Sequence, residues 1–200
     1  SSGSIERPLV FGINDTPGVM LSSAAKEYLK VYGVLVGKKP LIFTNNDSGY
    51  ETAIEFKKNG VDPIILDTRK EPKSEIIDEA KKLDIQIKFS YVVVAAKGYK
   101  KVKSAEVAKI SDDKNELGTL ENINCDCICV SGFWTPTIHL ASQSGNKTTF
   151  NKDIDAFVPG LSKQNETTLG AANGTFTLEE ILKSSSETGY ELSKKITNND

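Results

Sequence analysis

The sequence predicts an α/β fold, a parallel sheet with helices packed on it, and three observations carry that expectation. Leu41, Ile42 and Phe43, and then Ile64, Ile65 and Leu66, are short unbroken apolar runs, the pattern of parallel strands buried on both faces. Between them Ala53, Ile54 and Phe56 lie at helical spacing on a segment closed by Asn59 and Gly60, a common helix stop. A polar loop from Thr44 to Gly49 leads into that helix, and Asp67 ends the second strand. Strand, polar turn, helix and acid-tipped strand make a Rossmann-like βαβ unit, the plan of a dinucleotide site.

The loop departs from the glycine fingerprint of such sites. G-x-G-x-x-G supplies a tight turn, close approach to a pyrophosphate and close helix–strand packing. Those three places hold Thr44, Asn46 and Gly49, so only the packing glycine remains. Asn46 is expected to serve the turn because asparagine tolerates the left-handed backbone region. Asn45, Asn46, Ser48 and Gly49 are the expected phosphate contacts, through backbone amides or side chains at a helix N-terminus. Asp47, in the same loop, opposes an anion unless it points away. Asp67 lies 21 residues beyond Asn46, the spacing of the acid that accepts from ribose hydroxyls, and Arg69 could instead meet a 2′-phosphate. The competing expectation is a Rossmann-like module whose phosphate loop has drifted away from binding.

The remaining elements follow in order. Pro8 to Gly12 reads as a short strand, and Asn14 to Gly18 as a turn. Leu21, Ala24, Ala25, Tyr28, Leu29 and Tyr32 share one face of a helix ended by Gly33. Ser74 can cap a helix over Glu75 to Leu83. Ile85, Ile87 and Phe89 alternate as a half-exposed strand, Tyr91 to Ala96 is an apolar run, and Tyr99 to Ile110 reads as a hairpin arm turning at Ser111 to Asn115. Cys125 to Ser131 predicts another buried strand running into Gly132, Phe133, Trp134, Thr135 and Pro136. Ser131, Gly132 and Trp134 would line the far side of a pocket at the sheet's carboxyl edge. Thr137 to Ser144 reads as a helical turn or two, 148–166 as irregular, and Gly170 to Gly174 as a second glycine-rich loop. A helix follows, opened by a Thr177–Glu180 capping box, and the segment from Ser184 onward reads as a polar, frayed tail.

Composition bounds the function classes. The 200 residues carry a net charge of −2, with 38% apolar and 26% charged residues, which gives no electrostatic footprint for nucleic acid. No apolar run is long enough for a membrane helix. The three cysteines, at 125, 127 and 129, alternate and are expected on one strand face as buried, reduced thiols, which points to a cytoplasmic protein. That spacing is not a zinc motif, and His139, the lone histidine, stands ten residues from the last cysteine, so no metal site is expected. The four lysines of Lys97 to Lys103 read as a solvated face. No Ser/His/Asp grouping or carboxylate pair marks a catalytic residue. The chain does not begin with methionine and is read as an internal piece of something longer.

Several segments are unusual and independent of one another. They are Ser1 to Phe11; Asn14 to Leu21; Thr44 to Ser48; Val130 to Pro136; His139-Leu140 with Ser142 to Gly145; Phe157 to Gly160; and Gly170 to Gly174. In this order and spacing, over about residues 1–183, they resemble the alpha subunits of heterotetrameric sarcosine oxidases. The resemblance implies an FAD/NAD(P)-binding architecture with two nucleotide domains, like that of the pyridine nucleotide–disulfide oxidoreductases. Residues 1–37 would be the end of a split first nucleotide domain and a connecting helix, and 38–135 a second nucleotide domain. Residues 136–200 would be the return to the first domain, the C-terminal helix and the tail. Ser1 to Ser4 would close the first domain in this scheme. The family demethylates sarcosine oxidatively with FAD and covalent FMN, and passes the one-carbon unit to tetrahydrofolate. NAD is associated with its alpha subunit, and the beta, gamma and delta subunits are the partners. The flavin chemistry would lie mainly outside this piece. Two alternatives remain open: a non-catalytic scaffold module with a degenerate, empty nucleotide site, and the equivalent subunit of a related amine or imino-acid dehydrogenase.

Overall fold

The computed structural model describes residues 3–111 and 116–197. The chain forms two compact units, one of Glu6–Phe133 and one of Ser1–Ile5 with Trp134–Asp200. After β1 (Ser4–Glu6), the Glu6–Phe133 unit contains β2 (Val19–Leu21), α1 (Ser22–Tyr32), β3 (Pro40–Thr44), α2 (Ser48–Lys58), β4 (Ile64–Asp67), α3 (Glu75–Lys82), β5 (Gln86–Phe89), β6 (Tyr91–Lys97), β7 (Ser104–Lys109), β8 (Glu121–Asn124) and β9 (Cys127–Ser131).

Five of these strands form a parallel sheet in the order β2-β9-β3-β4-β5, and β6-β7-β8 form a separate antiparallel sheet. The βαβ unit β3-α2-β4 stands as the sequence predicts. Because side chains alternate along a strand, β3, β4 and β9 each feed two cores. Ile42, Ile65, Cys127 and Cys129 pack beneath the helices with Ala25, Leu29, Ala53, Phe56, Ile77 and Ala80. Leu41, Phe43, Leu66, Ile128 and Val130 face the other way, toward Phe11, Val93, Val102 and Val107. Residues 6–37 contribute β2 and α1 to this unit.

Several sequence expectations are corrected. Pro8 to Gly12 is not a strand; only Gly12 makes an isolated bridge, to Ala95. Val19 to Leu21 is a strand instead, pairing with Ile128 to Val130, so Leu21 precedes the helix. Tyr28 and Tyr32 are exposed on α1 and contact each other, their ring centroids 6.1 Å apart, rather than entering the core. Only Cys127 and Cys129 share a face; Cys125 lies before the strand and packs in the opposite core. All three thiols are buried and free, as expected. The predicted turn at Ser111 to Asn115 falls largely outside the described residues, with Ser111 donating to Glu116 O on its near side, and Ser1 and Ser2 of the first-domain turn also lie outside them.

In the other unit, β1 pairs with β10 (Trp134–Pro136), which is followed by α4 (His139–Gln143). The stretch expected to be irregular contains an antiparallel hairpin, β11 (Thr148–Asn151) with β12 (Ala156–Pro159). Gly170–Asn173 forms a 3-10 turn. The polar tail is helical through α5 (Leu178–Thr197), which has no buried residue. Among the described residues no helix is long and apolar enough to cross a membrane, and no group of three metal-ligating side chains forms.

Candidate functional site

The carboxyl ends of β3, β4 and β9 lie side by side, Thr44 in register with both Asp67 and Ser131. The strand order reverses here: β3 leads through α2 to β4 on one side, while β9 lies on the other. Such a switch point is where open α/β sheets place a ligand. The structure brings nine of the ten predicted residues to this edge: Asn45, Asn46, Asp47, Ser48, Gly49, Asp67, Arg69, Ser131 and Gly132. Trp134, on β10, belongs to the other unit.

The glycine kept from the fingerprint does the work expected of it. A Cβ on Gly49 would stand 2.6 Å from Thr44 Cβ and 2.7 Å from Thr44 Oγ1, so the first turn of α2 packs against β3 with no room for a methyl group. Asn46 departs from expectation, because its φ is not in the left-handed region. The loop is held by hydrogen bonds instead. Thr44 Oγ1 donates to Asn46 O at 2.8 Å and accepts from Asn46 N at 3.1 Å. Asn46 is buried, and its Nδ2 donates to Asn45 Oδ1, Ser131 O and Ser131 Oγ at 3.0, 3.1 and 3.2 Å. Ser48 donates to Asn46 Oδ1 through its backbone N at 2.9 Å and its hydroxyl at 2.5 Å. An asparagine side chain therefore fills the space between β3 and β9. Gly132 is also in close contact: a Cβ there would meet Arg7 O at 2.8 Å, and its own N–H donates to that oxygen at 2.7 Å.

The acid at the end of β4 is engaged as well. Asp67 has no solvent exposure. Its Oδ1 accepts from Arg69 N at 2.9 Å and Arg69 Nε at 3.0 Å. Its Oδ2 accepts from Tyr50 OH at 2.7 Å and Arg69 Nη2 at 2.8 Å. A carboxylate has about four lone-pair sites, and these four donors match them. Arg69 Nη1 pairs with Asp47 Oδ1 at 2.8 Å, so Asp47 points at the guanidinium. Burial alone would weaken the Arg69 charge, but hydrogen bonds and charge from Asp67, then Asp47, outweigh it and raise the Arg69 pKa. Burial, then the charge of Asp67, pushes the Tyr50 phenol well above its ordinary range, so it remains a neutral donor.

Sequence reasoning missed Tyr50 at this edge and Glu6 at the neighbouring end of β2. Tyr50 follows Gly49 in the first turn of α2, and its hydroxyl pairs with Asp67 17 residues onward. Its place in the first turn of the predicted helix is legible in the sequence; its contact with the acid is not. Glu6, itself buried, accepts Ser23 N–H at 2.8 Å at the start of α1, where a carboxylate complements the helix dipole. No local pattern marks that contact.

The comparisons with known proteins agree with this fold. No family model matches the chain. The sarcosine oxidase subunit alpha of Rhizobium meliloti (strain 1021) is 38% identical over 183 residues, which cover 88% of this chain and 17% of the relative. That of Corynebacterium sp. (strain P-1) is 31% identical over 191 residues, covering 94% and 20%. This chain is a relative of the sarcosine oxidase alpha subunit. It spans about a fifth of the length of the curated relatives it matches. Among solved structures, Lactococcus lactis thioredoxin reductase superposes with a TM-score of 0.72 at 14% identity, over 98% of this chain and 64% of that one. L-proline dehydrogenase from P. horikoshii gives 0.51 at 21% identity, over 84% and 27%. At such identities the likeness is one of fold, and the fold is Rossmann-like.

Proposed function

We propose that the chain is a nucleotide-domain module of an alpha subunit in a sarcosine oxidase-like flavoenzyme, and that its βαβ crevice is structural and holds no NAD. The observation that carries this reading is the saturation of Asp67, whose acceptor sites are taken by Tyr50 and Arg69. The Asn46 bridge to Ser131 supports it from the phosphate side. Oxidation of a secondary amine, with FAD and FMN, would then be done elsewhere in the assembled enzyme, with beta, gamma and delta subunits as partners. This module would position neighbouring parts of the subunit, and any NAD of the complex would bind outside this crevice. Titration of the 200-residue chain with NAD and NADP, followed by NMR, tests the reading. The amides of Asn45 to Gly49 are expected to stay in place at millimolar ligand. Saturable shifts there, lost in Asp67→Ala, would refute it.

A further inference from the structure

The crevice has the backbone plan of a dinucleotide site and an acid at the ribose position, yet that acid faces its own chain. We infer that Arg69 is an internal ligand, whose guanidinium occupies the acceptor that a nucleoside's ribose hydroxyls would use, and that it sets the specificity of this crevice against nucleosides. The inference rests on the reading of the crevice as closed.

The geometry supports it in three respects. Asp67 ends β4 in register with Thr44 at the end of β3, where the ribose-reading acid of a βαβ unit stands. A ribose diol brings two O–H donors to such a carboxylate. Arg69 brings Nε and Nη2 to its two oxygens, and its backbone N–H adds a third donor. The substitution is thus donor for donor, with a positive charge added. Asp47 then holds the guanidinium from the opposite side through Nη1, and its side chain is 43% exposed against none for Asp67. The arginine is anchored on its buried side and clasped on its wet side, so it is not free to swing out to an incoming phosphate. With two carboxylates around one guanidinium, the cluster repels anions.

Adenosine is the discriminating probe, because it carries the diol and lacks the phosphates that the loop closed by Asn46 would exclude. Binding to the full chain would be measured calorimetrically for the wild type, Arg69→Ser, Arg69→Lys and Asp47→Asn, with amide spectra recorded for each. Arg69→Ser is expected to bind adenosine about tenfold or more tightly than the wild type, the gain from one recovered hydrogen-bonded contact. Arg69→Lys keeps a cation beside the buried carboxylate but lacks the planar fork that reaches both oxygens, and is expected to gain in the same direction by less. Asp47→Asn leaves Arg69 seated on Asp67 and is expected to gain nothing. Folded Arg69→Ser and Arg69→Lys proteins with no gain overturn the inference. So does failure of both to fold, which would make Arg69 a structural ion pair. In either case a silent wild type leaves the closed-crevice reading standing, whereas tight binding of adenosine or NAD by the wild type would remove that reading itself.

Discussion

Asn46 Nδ2 donates to the carbonyl oxygen of Ser131 at 3.1 Å, across 85 residues of sequence, and so ties the end of β3 to the end of β9. In a nucleotide-binding sheet this gap is left for the ligand. Here a side chain closes it, and the local stability of the edge depends on that side chain.

Asn46→Ala removes the bridge and leaves Ser131 O and Oγ without that donor. Ser131 O keeps the Asn45 N–H and Ser131 Oγ keeps Ser48 Oγ, so the cost is that of the lost hydrogen bonds, about 0.5–1.5 kcal/mol each. Urea unfolding of the variant should show a lower midpoint with an unchanged slope. An unchanged midpoint would mean that the bridge contributes nothing.

Gly49→Ala places a methyl group within 2.7 Å of both Thr44 Cβ and Thr44 Oγ1. Overpacking of this kind costs about 1–3 kcal/mol. Thr44→Gly removes both atoms, so the double variant should be less destabilised than the sum of the single changes. Additive single effects in a double-mutant cycle would show that the two residues are not in contact.

Tyr50 gives the protein an alkaline limit. Its folded pKa is raised above the ordinary phenol value of 10.0, first by burial and then by Asp67. The folded state therefore holds the proton more tightly than the unfolded state. The stability from this group is fully present below pH 10.0 and falls as pH rises above it. Tyr50→Phe should remove that part of the alkaline loss, while costing about 1–2 kcal/mol at neutral pH from the hydrogen bond to Asp67. Phenolate absorbance from Tyr50 should appear only together with unfolding.

The thiols should be silent in the native protein. Burial pushes the Cys125 thiol up to about 12, helped by Cys127 and Asp126. The hydrogen bond with Cys127 and full burial raise Cys129 as well. Thiolate is the reactive form, so a maleimide at neutral pH should label none of the three until denaturant is added. Rapid labelling of the folded chain at Cys125 would contradict its placement in the core.

Legibility in the sequence followed burial. β3, β4 and β9 are covered on both faces, and each shows as an unbroken apolar run. α2 and α3 each carry one apolar face, and Asn59 and Gly60 mark the end of α2. β2 was obscured because three edge-strand residues merge with the apolar spacing of α1. The β11–β12 hairpin was missed because Thr148 and Thr149 are exposed and carry no alternation. α5 buries nothing, so no face marks its continuation beyond Ser184. At the site, Gly49 and Asp67 could be placed by spacing alone. What the acid binds could not, since the Tyr50 contact depends on how α2 sits over β4, and the Arg69 contact on a side-chain conformation. The same limit hid Asn46, which acts through its amide group rather than through its backbone angle.

The position of β9 between β2 and β3 has a consequence for how the chain comes together. Pro40 pairs with Cys127, 87 residues later, and Leu21 pairs with Val130, farther still. On the ribosome, β3 and β4 can dock with α2 as soon as they emerge, but the edge of β3 that faces β9 has no partner until the cysteine strand arrives. Pairings this distant are slow to form, and an uncovered strand edge invites association with other chains. A ribosome paused before residue 127 would therefore hold out a half-built sheet with no strand to join β2 to β3.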